Sequence, residues 1–347
     1  MLLKNIKTLF ICKKRNATYD ISIGLVNSAQ FIANFLISQK IPSKVVSVID
    51  SNFIDKEVHL YKPTHVVIHA LWVPPYKMKE LAAKYPKIIW LIRIHSKVPF
   101  IAHEGMAMEW ITEYYKIQKR HKNINITANS KDFKEAIESS LKEKVEYLPN
   151  LYMPSYPAPP IDPLWSNSIA IGCFGAIRPL KNHLLQAMAA MTFGDKINKK
   201  VYFNVNCDRM EQNGQNVLKN LRALFNSSNK HVLVENKWKN HKDFLKLVAK
   251  MDMGMQFSLS ETYNIVAADF VYVGIPMVVS PEIRWMPWYS KADPYDISNM
   301  VKILERNYCL GNMFGGKFCR WLNRKYLDRD NQDAGKIWLN YLSKQFI

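Results

Sequence analysis

Two carboxylates, Glu261 and Asp269, stand eight residues apart inside the otherwise apolar stretch SLSETYNIVAADFVYVGIPMVVS (258–280). Glu261 follows the β-rich run MGMQFS (253–258), which places it in a strand-to-helix loop whose turn Ser258 or Ser260 can tie down. A helix predicted over 262–273 then carries Asp269. Eight residues span about 2.2 helical turns, so Asp269 stays near the face of the first turn and both acids can meet one ligand at one helix end. The backbone N–H groups of Thr262, Tyr263, Asn264 and Ile265 would lack intrahelical acceptors there, an arrangement that suits a phosphate. Amides for a diphosphate, one acid for sugar hydroxyls and the other for ribose would hold a nucleotide sugar. The plainer alternative makes Glu261 a helix-start acid worth roughly 0.3–1 kcal/mol and leaves Asp269 on a solvated face.

The elements needed to position such residues are present. Strands are predicted at 6–12, 44–49, 65–71, 87–94, 123–129 and 144–149, with helices such as 24–38, 76–85, 104–119 and 131–142 between them. The proline-rich segment PNLYMPSYPAPPIDP (149–163) has no hydrophobic period and reads as a linker. Beyond it the alternation resumes: strands at 169–176, 200–206, 230–236, 253–258 and 276–280, and helices at 181–193, 212–226, 240–251 and 262–273. Strands alternating with helices imply parallel sheets covered on both faces. The expected organisation is an α/β domain over 1–150, a linker over 151–166, a second α/β domain over 167–320 and a helical C-terminal segment over 321–347. Ligands of open α/β sheets bind beyond the carboxyl ends of the strands, so both domains would aim their loops into a cleft between them.

Several stretches, in this order, resemble the family-4 retaining glycosyltransferases of the GT-B fold. The acidic pair is similar to that family's E-x7-E signature, here with Asp269 in the second acid place, followed by Gly274 and Pro276 where the family has G-x-P. IGCFGAIRPLKNHLLQAMAAM (171–191) looks like its strand-loop-helix carrying Gly, Arg and Lys. ITANSKDF (126–133) with VEYLPN (145–150) resembles the end of its N-terminal domain, and WLIRIHS (90–96) the strand ending in its active-site His. ADPYDISNMVKIL (292–304) resembles its late Asp-containing helix start. The resemblance implies two Rossmann-like doubly wound domains facing a cleft, with the C-terminal helix crossing back to the N-terminal domain.

It also implies roles. Lys181 falls at the family's phosphate-binding lysine and Arg178 is its partner, although the family's arginine stands two places earlier, where this chain has Ala176. Gly175 would let the backbone approach the diphosphate closely. Glu261 is assigned to the donor sugar and Asp269 to the ribose, its arm one methylene shorter than the family's Glu. His95 would contact the sugar near the reacting carbon. Glycosyl transfer loads negative charge onto the leaving phosphate, where cations stabilise the transition state most. Against these readings stand ordinary ones: surface cations at Arg178 and Lys181, a turn glycine at Gly175 and a structural histidine at 95.

No cofactor beyond the nucleotide-diphosphate sugar as co-substrate is expected, and no metal, since lysine, arginine and helix amides would neutralise the diphosphate. The five cysteines form an odd set without zinc-type spacing, which fits reduced thiols. The N-terminal apolar patch TLFIC is too short for a signal peptide or a membrane span, so the expectation is a soluble, cytoplasmic protein, in the host-cell cytoplasm if viral.

The formal charge is +19, divided as +10 over 1–150 and +9 over 151–347. Such a field concentrates anions, although a lysine-rich composition explains it as simply. The first loop, 12–24, brings Lys13, Lys14 and Arg15 to the acceptor side, with KIQKRHKN (116–123) as a second basic cluster and RWMPWY (284–289) as an aromatic one. Basic residues beside aromatics suit nucleic acid, while Trp285 and Trp288 would serve equally as core residues. Three readings follow. The first is a glycosyltransferase acting on a polyanion, in its sharpest form DNA carrying a modified base, because the DNA-glucosylating enzymes of viruses also resemble this fold. The second performs the same chemistry on a lipid-linked or cell-surface glycan at an anionic membrane. The third is a non-enzymatic protein that binds a nucleotide sugar or nucleic acid.

Overall fold

The computed structural model describes residues 5–14, 23–162, 167–313 and 317–344. The chain divides into two compact units: Met1–Ser155 with Asp330–Ile347, and Tyr156–Arg329. The proline-rich stretch is therefore shared between the units, and the C-terminal division falls at Arg329–Asp330.

The first unit runs β1 (Thr8–Lys13), α1 (Ile23–Ser38), β2 (Ser43–Val48), α2 (Ile54–Tyr61), β3 (His65–His69), α3 (Pro75–Lys84), β4 (Ile89–Ile94), α4 (Val98–Ile101), α5 (Ala107–Arg120), β5 (Ile124–Ala128), α6 (Lys131–Leu141) and β6 (Glu146–Tyr147). Its strands form one parallel sheet in the order β2-β1-β3-β4-β5-β6. The pleat sends alternate residues to opposite faces. Leu9, Val66, Ile68, Trp90 and Ile92 enter one core cluster, while Phe10, Val67 and Leu91 enter another. Both faces are thus buried, which is why these strands read as continuous apolar runs. Helices α2 and α4 had no clear signal in the sequence because both are short.

The second unit runs β7 (Ser168–Gly172), α7 (His183–Lys196), β8 (Lys200–Asn206), α8 (Gly214–Asn226), β9 (Val232–Asn236), α9 (His241–Val248), β10 (Met253–Gln256), α10 (Ile265–Val273), β11 (Met277–Val279) and α11 (Ile297–Asn312). Its sheet is again wholly parallel, in the order β11-β10-β7-β8-β9. Gly172 and Gly254 are register partners on β7 and β10. A Cβ on either would stand 2.6 Å from the Phe270 ring, so this glycine pair lets α10 lie close on the sheet. That contact fixes where the start of α10 points.

The last helix, α12 (Lys317–Lys344), begins in the second unit, and from Asp330 onward its residues belong to the first. Trp338 there is fully buried and its Nε1 donates to Pro149 O at 2.8 Å. None of the five cysteines is paired. Among the described residues no helix is long and apolar enough to cross a membrane.

Candidate functional site

The polar cluster of the second unit forms where β7 and β10 end. After β7 the chain turns at Gly175, whose φ of +113° lies in the left-handed region that favours glycine. Its N–H donates to Asn206 Oδ1, at the end of β8, at 2.9 Å. A short 3-10 helix, Pro179–Lys181, then brings Lys181 inward to 8% exposure. Asn182 donates to Phe257 O at 3.2 Å and Pro294 O at 2.8 Å, and Leu259 N to Leu180 O at 2.9 Å. Gln186 joins Lys181 O (2.7 Å) to Phe257 N (2.9 Å). The loops after β7 and β10 are therefore fastened to each other, and their side chains converge.

Lys181 Nζ meets the Glu261 carboxylate directly and donates to Gln256 Oε1 at 3.3 Å. Gln256 in turn donates to Phe174 O at 2.8 Å and accepts from Asn264 Nδ2 at 2.8 Å. Arg178 places Nη1 3.0 Å from Glu211 and Nη2 3.8 Å from Glu261. Burial alone would raise the Glu261 carboxyl, but Lys181 and Arg178 outweigh it and hold it below its ordinary value. Glu211 follows the same pattern, with burial opposed and outweighed by Arg209 and Arg178. Both carboxylates are ionised at neutral pH.

The sequence placed the start of the helix too early. Helix α10 starts at Ile265, with Asn264 as its cap at φ +61°, and Asn264 Oδ1 accepts from Ala267 N at 2.9 Å. Of the four amides expected at the helix end, only that of Ile265 is within the helix. Thr262 and Tyr263 precede it because the Asn264 side chain replaces the missing turn. Thr262 N–H instead donates to the Glu261 carboxylate, and Tyr263 is buried with its carbonyl accepting from Trp285 Nε1 at 2.8 Å. Ser258 is fully buried.

The two acids of the opening motif lie in different networks. Asp269 is 2% exposed and its Oδ1 bonds His241 Nε2 at 2.6 Å, while His241 Nδ1 meets the Tyr156 hydroxyl. Neither a solvated face nor a shared cluster with Glu261 describes it. Trp285 is a core residue, whereas Trp288 is 74% exposed.

The four remaining candidates, Lys13, Lys14, Arg15 and His95, fall within the first unit's span, Met1–Ser155. Lys13 and Lys14, at the end of β1, are exposed, and Arg15 lies outside the described residues. His95 follows β4 and is half-buried against the buried Arg93 and His69. Its Nε2 bonds Arg93 Nη1 at 2.8 Å and its ring centroid is 4.1 Å from that of His69. Arg93 is fully buried and also donates to Leu148 O at 3.0 Å and Asn150 Oδ1 at 2.6 Å. Burial pushes the guanidinium down to about 9 and, with His69 and Arg93 adjacent, holds His95 well below 6.5. The ring is neutral at physiological pH, with Nε2 facing the Arg93 guanidinium and Nδ1 3.3 Å from the Asn129 side-chain amide.

Gln256, Asn206, Glu211 and His241 were not singled out from the sequence. Gln256 and Asn206 carried a usable signal: each is a polar residue ending an apolar strand, the place where parallel sheets bind ligands. Among the described residues no group of three or more His, Cys, Asp or Glu side chains is disposed to hold a metal ion.

Neither a protein-family model nor a curated protein sequence matches the chain. Solved structures do. The Escherichia coli trehalose-6-phosphate protein bound with UDP-2-fluoro glucose superposes with a TM-score of 0.67 at 11% identity, covering 97% of this chain and 99% of the other. A glycosyltransferase from Rickettsia africae gives 0.63 at 13% identity, covering 98% of both chains. A UDP-forming α,α-trehalose-phosphate synthase from Burkholderia xenovorans gives 0.62 at 12% identity, covering 97% and 98%. At such identities the likeness is one of fold, and the chain has the GT-B fold.

Proposed function

We propose that the protein is a glycosyltransferase that moves a sugar from a nucleotide-diphosphate sugar to an acceptor, with retention, as the resemblance to family 4 implies. One observation carries this reading: Lys181, Arg178 and Glu261 converge beside Gly175 and the start of α10. Two cations and a helix N-terminus at one point suit the charge that builds on a departing diphosphate. Glu261 is ionised and can accept from sugar hydroxyls once the diphosphate takes Lys181. Asp269, held by His241, is assigned to the ribose side of the site. Binding of UDP-2-fluoro glucose by a structural neighbour supports the choice of donor class. The test is a panel of nucleotide sugars scored for release of nucleoside diphosphate, with Lys181→Met as the control.

The proposed acceptor is a polyanion, DNA with a modified base in the sharpest version, on the strength of the +19 charge and the exposed Lys13 and Lys14. A multi-phosphate acceptor predicts affinity that falls steeply between about 50 and 200 mM salt. A different observation favours a membrane-borne glycan. Phe318 and Trp321 are 42% and 58% exposed on α12, their rings 6.1 Å apart, with Lys325 5.4 Å above the Trp321 ring. Aromatic and cationic side chains so combined suit an anionic lipid surface. Sedimentation with anionic against neutral vesicles separates the two acceptors.

A further inference from the structure

Glu211 lies outside the sequence motifs, yet it holds the arginine of the proposed diphosphate site. Its Oε2 pairs with Arg178 Nη1 at 3.0 Å, and its Oε1 takes Arg209 Nε at 3.0 Å together with Arg209 Nη2. One carboxylate bridging two guanidinium groups reproduces the way arginines clamp a phosphate. These side chains are 17–19% exposed, so the pairing is neither a solvated surface contact nor sealed in the core.

The main chain at this point is fixed independently of the side chain. Ile177 N donates to Arg209 O at 3.0 Å and Glu211 N to Ile177 O at 2.9 Å, which joins the loop after β8 to the loop carrying Arg178. The carboxylate can therefore leave the arginines without the loop coming apart. With Glu261 on Lys181, the cluster holds three cations and two carboxylates and carries one net positive charge. A diphosphate entering it competes directly with Glu211.

We propose that Glu211 is a resident carboxylate that exchanges with the substrate's diphosphate on Arg178 and Arg209, and by returning to them drives release of the nucleoside diphosphate product. This rests on the reading of the site as a diphosphate site. The exchange weakens ground-state binding and shortens product residence, and it makes Glu211 a positioning residue acting through Arg178.

Inorganic pyrophosphate titrated calorimetrically into the full chain provides the test. Glu211→Gln keeps the shape and removes the competing charge, so it is expected to bind pyrophosphate about tenfold more tightly, the change that about 1.4 kcal/mol produces. Glu211→Asp restores the charge and is expected to bind within about threefold of wild type. In turnover, Glu211→Gln lowers KM and kcat together as product release slows. Equal or weaker pyrophosphate binding by Glu211→Gln overturns the proposal and makes Glu211 a brace for Arg178. Should that variant fail to fold, Arg209→Met decides. It leaves Glu211 on Arg178 alone and must weaken pyrophosphate binding; unchanged binding overturns the proposal. No pyrophosphate binding by any variant overturns it as well. Pyrophosphate binding with the expected order, but no turnover of any nucleotide sugar, sinks the enzymatic reading and leaves the exchange standing.

Discussion

Lys181 and Glu261, 80 residues apart in the chain, meet as an ion pair on side chains that are each only 10% exposed. Each comes from a loop at the carboxyl end of a parallel strand, and the contacts of Asn182, Gln186 and Leu259 lock those loops together. A buried pair contributes little net stability, since desolvation offsets most of the attraction, but breaking it leaves a bare charge. A site that retains such a pair needs its charges for something else.

Lys181→Met is therefore expected to destabilise the protein by about 3 kcal/mol, because among the described residues Glu261 then keeps only Arg178, at 3.8 Å, as a cationic partner. Lys181→Met with Glu261→Gln should recover most of that loss while activity stays absent. Denaturant unfolding of the single and double variants checks this. Recovery of activity along with stability would show the pair to be purely structural.

The separate networks of the two acids predict separate kinetic consequences. Glu261→Gln should lower kcat by roughly 100-fold or more, as expected when a group serves the transition state. Asp269→Asn, which weakens the hold on His241 at 2.6 Å, should raise the donor KM and leave kcat within about threefold. Steady-state kinetics with the accepted nucleotide sugar separates the two effects.

Gly214 opens α8, and a Cβ there would stand 2.1 Å from Ile177 O, a backbone atom that cannot step aside. Gly214→Ala must therefore push apart the loops carrying Arg178 and Glu211. A loss of about 1–3 kcal/mol is expected, as for overpacking, together with weaker diphosphate binding. Wild-type affinity in this variant would detach the Arg178 loop from diphosphate binding.

The buried histidines give a pH signature. Burial, with Arg93 adjacent, holds His69 well below 6.5, and neither of its ring nitrogens has a hydrogen-bond partner among the described residues. A depressed base is neutral when folded and takes up a proton when unfolded, so its contribution is complete above pH 6.5 and declines as pH falls below it. His69→Leu removes one such group. It should change stability at pH 7.5 by less than about 1 kcal/mol and flatten the acid slope by about 1.4 kcal/mol per pH unit. An unchanged slope would contradict the neutral assignment.

Much of this was legible beforehand, for identifiable reasons. Strands buried on both faces write continuous apolar runs, so Lys200–Asn206 could be located residue for residue from KVYFNVN. Glu261 was visible because a charge in an otherwise apolar segment stands out, whereas Lys181 was named only through the family resemblance. The start of α10 was misplaced because Asn264 caps from a left-handed conformation that spacing does not reveal. The partner of Asp269 was not legible because helical period gives direction and not partners, and His241 arrives from the start of α9. Glu211 was overlooked for the same reason: its importance comes from the Ile177–Arg209 pairing, a contact between distant loops.

The account depends on Lys181, Arg178 and Glu261 forming a nucleotide-diphosphate sugar site, and donor turnover measures that most directly. Wild-type protein incubated with a panel of nucleotide sugars, UDP sugars foremost, should release nucleoside diphosphate from at least one of them, and Lys181→Met should lose roughly 100-fold or more of that rate. Wild-type protein that neither binds nor turns over any member of the panel, or a Lys181→Met variant that matches wild type, would contradict the account.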